Sequence, residues 1–223
     1  MNSFYAGKIC YYGPEGENGR EWFEMVPHAG GRTLRAFCEM DNVGLSRDVS
    51  IALDAQSRPL DAFVRVIQDG AVSGSTLFLV EPDAIECEGR TLDYGRVSQR
   101  KSLASPLTYL GLHPLVGDAL VTIPRGTDRR GEFVMVDGIA NSLSPNGELG
   151  LIAMPTHIDV AYLGEERVRV QAGEFDARRY ALRWNPAWPP ADIWVHGPQA
   201  LFLLLRWELI DARYELTELR QSR

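Results

Sequence analysis

The sequence predicts an all-β fold, an antiparallel meander rolled into a barrel. Three observations carry this. Apolar and polar residues alternate with period two along most of the chain. Gly, Pro, Asn and Asp clusters cut the alternation at short intervals. Between them lies no helical pattern of convincing length. The 223 residues suit a single domain spanning 1–223, because no low-complexity linker divides them.

The elements follow in order. Phe4 to Tyr12 reads as a strand, and Gly13 to Gly19 as a turn-rich loop. Arg20 to Val26 is a strand, and His28 to Gly31 turns. Thr33 to Met40 puts Leu34, Ala36, Cys38 and Met40 on one face and Arg35, Phe37 and Glu39 on the other. Asp41 to Ser46 turns into Arg47 to Asp54. Leu60 to Gln68 places Asp61, Phe63 and Arg65 opposite Ala62, Val64 and Val66. Asp69-Gly70 is a hairpin dipeptide, since its turn needs positive φ. Ala71 to Val80 returns, followed by Ala84 to Glu88, a turn at Gly89-Arg90, and Thr91 to Gln99. Residues 100–130 differ. Pro106, Pro114 and Pro124 break any strand, Leu107 to Leu112 suits a helical turn, and the segment reads as a crossover covering one barrel end. Phe133 to Ala140 resumes, Ser144 to Gly147 turns, and Leu149 to Met154 leads on. The run from Gly164 to Leu219 is again strands: around Val168, Phe175 to Trp184, Asp192 to His196, Leu201 to Trp207 and Arg213 to Leu219. Asn185 to Pro190 interrupts it with three prolines.

Composition narrows the partners. A net charge of −7 argues against nucleic acid, which needs clustered cations. Arginine supplies all but two of the 23 positive charges, the exceptions being Lys8 and Lys101. Cys10, Cys38 and Cys87 are odd in number and widely spaced, which fits neither a disulfide framework nor a zinc site. Met1 to Tyr5 lacks the basic and apolar regions of an export signal, and no apolar run reaches membrane-spanning length. The expectation is a cytoplasmic protein with reduced thiols and no membrane partner.

Three C-terminal stretches carry a family pattern: Val168 to Tyr180, which holds Ala-Gly-Glu-Phe-Asp-Ala, then Asp192-Ile-Trp-Val195, then Tyr214 to Leu219. They resemble the tail of a bacterial family of unknown function with a lipocalin-like β-barrel. The resemblance covers the last quarter of the chain. It implies that fold and carries no catalytic residues with it.

Standard catalytic and nucleotide-binding motifs are absent from the sequence. His28, His113, His157 and His196 show no metal-ligand spacing, so neither metal nor cofactor is expected. The informative feature is charge on strand faces: Arg35, Phe37 and Glu39; Asp48 and Ser50; Asp61, Phe63 and Arg65. Turned inward, they would line a polar pocket shared by Arg35 and Asp61; turned outward, they are solvent-side ion pairs. A second group is His113, which Asp118 would orient, beside the phenol of Tyr94. Its plainer reading is a structural loop histidine. Trp184, Trp188 and Trp194 are either an aromatic lip or a packed corner.

The first functional expectation is a cofactor-free isomerase, lyase, hydratase or cyclase. It would act on a small hydrophobic, ring-shaped molecule with one polar handle. His113, Asp61 and Asp48 would move protons. Arg35, Arg65, Glu39, Phe37, Phe63 and Tyr94 would bind substrate. The alternative is a non-catalytic binder of the same kind of molecule. A third is an interaction protein, with a homodimer as candidate assembly, for which Trp22 and Leu201 to Leu205 are the hints.

Overall fold

The computed structural model of the chain describes residues 4–222. Met1, Asn2 and Ser3 of the N-terminal stretch considered above lie outside the described residues, as does Arg223. Among the described residues, fifteen strands form one sheet. They are β1 (Phe4–Gly13), β2 (Gly16–His28), β3 (Gly31–Met40), β4 (Leu45–Asp54), β5 (Pro59–Gln68), β6 (Ala71–Val80), β7 (Ala84–Thr91) and β8 (Gly95–Ser102). Then come β9 (Leu110–Gly111), β10 (Phe133–Ala140), β11 (Met154–Val170), β12 (Gly173–Arg183), β13 (Ala191–His196), β14 (Leu201–Trp207) and β15 (Ala212–Ser222). Their order across the sheet is β8-β7-β6-β5-β4-β3-β2-β1-β15-β14-β13-β12-β11-β10-β9. Neighbours are antiparallel except β9, which lies parallel to β10. Short turns make the meander. Asp69 and Gly70 both have positive φ, as their hairpin requires.

The terminal strands β1 and β15 thus meet mid-sheet, and the two sheet edges flank the crossover. That crossover does not cover an end. Leu107, Tyr109, Leu112, Val116, Ala119 and Val121 are all buried in the core cluster. The segment touches β2 through Glu21, β4 through Ile51 and β11 through Val160. Those strands belong to opposite halves of the sheet, so the segment lies between them as an internal plug. The helical turn expected at Leu107 to Leu112 is extended instead. Its Tyr109 and Gly111 carbonyls accept from the amides of Ile139 and Asn141, beside β10. Helix begins only after Pro114, whose extended ψ of 139° sets the entry. It comprises α1 (Leu115–Asp118), a 3₁₀ turn (Ala119–Val121) and α2 (Thr122–Arg125).

Two charged side chains hold the plug. Glu21 is fully buried and faces inward from β2, in step with Phe23 and Met25. Its carboxylate accepts the amides of Leu115 at 2.7 Å and Val116 at 3.0 Å, which have no partner within the helix. It also accepts the Tyr11 hydroxyl at 2.8 Å. At the other end the buried Arg125 donates to the carbonyls of Val160 (2.8 Å), Asp128 (2.9 Å), Arg129 (3.1 Å) and Glu132 (3.1 Å). Acid at the N-terminus and base at the C-terminus both match the helix dipole.

The rolled sheet is closed by side chains. The connection 141–153 lies along β6 to β8: Gln99 accepts from the Ala153 amide, Asp93 from the Gly150 amide, and Leu151 packs over Gly74. Other expectations shift. The turn foreseen at Gly89-Arg90 falls at Leu92 to Tyr94, where Thr91 Oγ1 accepts the Tyr94 amide and Gly95 takes φ +66°. Leu201 to Leu205 is entirely buried and offers no surface. Trp184 and Trp188 pack on Trp207, while Trp194 sits beside Arg179 and Arg206.

Glu21→Ala leaves two helix amides and a phenol without partners, at about 1–3 kcal/mol for each. Urea unfolding should register a loss of about 3 kcal/mol or more. Arg125→Leu, which strands four carbonyls, should lose a comparable amount. A change under about 1 kcal/mol in both would show that the plug is not held there.

Candidate functional site

The charged strand faces point outward. Arg35 and Asp61 are both exposed, so the shared interior pocket expected for them is not formed. The physical reason is the plug. Its apolar surface demands the apolar face of each strand, and Leu34, Ala36, Cys38, Val49, Ile51, Val64 and Val66 supply it. The opposite faces, with Arg35, Phe37, Asp48, Phe63 and Arg65, are left to solvent.

That outer face nevertheless has a hollow. A concavity of about 600 Å³ spans β15 and β1 to β5. Ala6 and Ser50 contribute its small side chains. Trp22, Phe37 and Phe63 are its aromatic lining. Lys8, Arg35 and Arg220 bring positive charge, and Glu24, Asp48 and Glu218 negative charge. Cross-strand register sets these neighbours: Lys8 opposite Trp22, Trp22 opposite Phe37, Phe37 opposite Asp48, and Ser50 opposite Phe63. Trp22 and Phe37 stack with centroids 6.4 Å apart at 27°. The Lys8 ammonium lies 5.9 Å from the Trp22 centroid. Arg35, directly opposite Glu24 across β2 and β3, forms only a long, exposed ion pair with it at 3.9 Å, beyond hydrogen-bond reach, so its guanidinium keeps N–H donors for a ligand.

Four expected site residues therefore meet: Arg35, Phe37, Asp48 and Phe63. The others are elsewhere. Asp61 is exposed on β5 outside the hollow. Arg65 lies over the Phe63 ring at 5.3 Å, beside it. Glu39 pairs with Arg20 at 3.3 Å. Tyr94 is exposed on the β7–β8 turn. His113 is inside the barrel.

His113 is half-buried, in a polar group around the plug. Its Nε2 donates to the Ser142 carbonyl at 3.1 Å, and Gly147 lies against its ring. Burial, then the nearby Arg47 charge, push its pKa down to about 3, so the ring is neutral. Its φ of +71° is strained for a residue before proline. Asp118 does not orient it; Asp118 accepts the Tyr109 hydroxyl at 3.0 Å. Burial pushes the Asp118 carboxyl up to about 7. The Tyr109 bond and Arg47 pull it down, and the Glu21 charge pushes it further up. Glu21 is also raised by burial, against the lowering effect of its Val116, Tyr11, Leu115 and Cys38 bonds. Burial raises the Cys38 thiol well above its usual value, which makes it a poor nucleophile. Among the described residues no group of His, Cys, Asp and Glu gathers to hold a metal ion.

Several of these residues escaped the sequence reading. Glu21 carries a legible signal, an acid in register with Phe23 and Met25 on an apolar face. Arg47 shows the same anomaly beside Val49 and Ile51. Lys8, Glu218 and Arg220 carry none, because β1 and β15 pair only through the closure of the chain's ends.

No protein-family model matches the chain, and no curated protein matches it. Solved structures do. The chain is similar to a β-barrel-like protein of the domain of unknown function DUF1849 from Brucella abortus. That match has a TM-score of 0.61 and 10% identity, and covers 100% of this chain and 99% of that one. It is also similar to a DUF1089 family protein from Pseudomonas aeruginosa, with a TM-score of 0.50 and 11% identity over 85% of this chain and 90% of that one. The fold is β-barrel-like, shared with proteins of unknown function. Among the described residues no helix is long and apolar enough to cross a membrane.

Two half-buried groups of the plug segment, His113 and Asp118, pull stability in opposite directions. His113 is depressed, so its contribution is full above the unfolded pKa of about 6.5 and is lost as pH falls toward 3. Asp118 is raised, so the folded state holds a proton that the unfolded chain lacks between about pH 4 and 7, and stability falls as pH rises through that window. Between pH 4 and 6.5 the two offset each other. Asp118→Asn should reveal a loss on acidification approaching about 1.4 kcal/mol per pH unit. His113→Gln should give the opposite slope. Urea midpoints across this range check both, and unchanged slopes would contradict the assignment.

Proposed function

We propose that the protein binds a small, mostly apolar molecule bearing an anionic or hydrogen-bonding handle, and holds it in the outer concavity without turnover. The observation that carries this is the meeting of Trp22, Phe37 and Phe63 with Arg35, which is only loosely paired with Glu24, around one hollow. A volume near 600 Å³ suits a drug-sized molecule. The rings would take its apolar body, and Arg35, with Lys8 and Arg220, its handle. This is the ligand-holding use of a lipocalin-like barrel, moved from the inside to the outside. A cytoplasmic location goes with the proposal, supported by Cys10, Cys38 and Cys87 as buried free thiols.

A second reading, a cofactor-free isomerase or lyase, rests on Asp48. It opens on the same hollow as Arg35, so it could move a proton on a molecule whose oxygen Arg35 holds. Against it, the three residues expected to move protons do not converge: His113 is interior and Asp61 lies outside the hollow.

The test uses 1-anilinonaphthalene-8-sulfonate, an apolar ring system with one anionic group. Saturable binding at one site is expected. Trp22→Ala and Arg35→Ala should each weaken it about tenfold, the loss of about 1.4 kcal/mol that a removed ring contact or charge-assisted hydrogen bond costs. Asp48→Asn should bind as well as the parent. Binding unchanged by both Trp22→Ala and Arg35→Ala would remove the concavity as the site. Native mass spectrometry of the purified protein would then seek the retained molecule. Its conversion by the parent but not by Asp48→Asn would favour the enzyme.

A further inference from the structure

A second surface stands apart from the concavity, at the end of the sheet where β5–β6, β7–β8 and the 141–153 connection turn. Five large apolar side chains project there: Val72 (54% exposed), Leu92 (74%), Tyr94 (60%), Leu143 (65%) and Leu149 (56%). They form one neighbourhood. The Leu92 amide donates to the Ser73 carbonyl at 2.8 Å, and the Gly150 amide to Asp93 at 2.9 Å. The 141–153 connection is ordered by its own bonds. Ser144 Oγ accepts the amides of Glu148 and Leu149 and donates to the Glu148 carboxylate at 2.8 Å. These leucines are held outward on a bonded scaffold, so burying them elsewhere costs little ordering entropy. Such a patch of apolar loop tips marks an interaction surface.

Charge selects the partner. Arg90 and Arg96 face each other directly across β7 and β8, just behind the Leu92–Tyr94 turn. Both are exposed, and among the described residues neither has an ion pair. Like charges directly opposite destabilise a sheet, and an anionic surface would offset that. The acids nearest the tips are engaged within the chain: Asp93 with the Gly150 amide and Glu148 with Ser144. Asp69, on the β5–β6 turn, is a further acid at this end.

We propose that this end docks on an anionic lipid surface. Val72, Leu92, Tyr94, Leu143 and Leu149 enter the headgroup boundary, and Arg90 and Arg96 meet lipid phosphates behind them. Apolar contact with flanking cations is how proteins lie on a bilayer without crossing it. The expectation of no membrane partner rested on the lack of a spanning segment, which does not bear on docking from one side.

Co-sedimentation of the full chain with vesicles tests this, using phosphatidylcholine alone and phosphatidylcholine mixed with phosphatidylglycerol. Sedimentation with the mixed vesicles is expected. Arg90→Gln with Arg96→Gln should weaken it on the order of thirtyfold, at roughly fivefold per arginine. Leu92→Ser with Leu149→Ser should weaken it at least about tenfold, and Trp22→Ala, in the separate concavity, should leave it unchanged. All these positions are exposed, and circular dichroism should confirm that the variants fold. Three results would overturn the proposal: sedimentation with neither vesicle, equal sedimentation with both that survives the arginine changes, or light scattering showing a dimer that the leucine changes dissolve.

Discussion

The helical stretch from Leu115 to Arg125 is held at both ends by buried charge, and the arrangement of the sheet follows from it. Glu21 accepts its first amides and Arg125 carries its last turn to β11. Buried charges are costly unless every lone pair and proton is used. Glu21 accepts from Leu115, Val116, Tyr11 and Cys38, and Arg125 donates through all three of its nitrogens. Once the plug occupies the inside, each strand must turn its apolar face toward it. The charged and aromatic faces are then left outside, where they build the concavity.

The same constraint separates chemistry from access. The groups with shifted acidity, His113, Asp118, Glu21 and Cys38, lie in and around the plug and have internal partners. Perturbed acidity often marks catalysis, but ion and hydrogen-bond networks that hold a core perturb it equally. Here each shift arises first from burial, and each group bonds to the chain. The exposed hollow offers rings, charges and the Ser50 hydroxyl in reach of solvent, which is what binding requires.

Much of the sheet was legible in the sequence because period-two alternation and Gly or Asp turns are local signals. Thr33 to Met40 and Leu60 to Gln68 divide into the two faces that alternation predicts. Alternation does not say which face is inside, and the inward reading of Arg35 and Asp61 failed at that point. The deciding fact was a long-range one, an apolar plug waiting for Leu34 and Val64. The plug helix itself was hidden. Leu115 to Arg125 is apolar on nearly every side and contains Gly117 and Pro124, so it lacks the one-sided stripe of a surface helix. The meeting of Lys8 and Arg220 was equally out of reach, since it depends on β1 pairing with β15 across the whole chain.

The internal clamp is tested most directly by native-state hydrogen exchange at the Leu115 and Val116 amides, in the parent protein and in Glu21→Gln. Held by a buried carboxylate, both amides should exchange in the parent only through global unfolding, as slowly as the most protected core strands. In Glu21→Gln they should open locally and far sooner than neighbouring β2. Rapid exchange of both amides in the parent, at the pace of a surface loop, would mean that the plug is not anchored and that the inside of the barrel is open to other occupants.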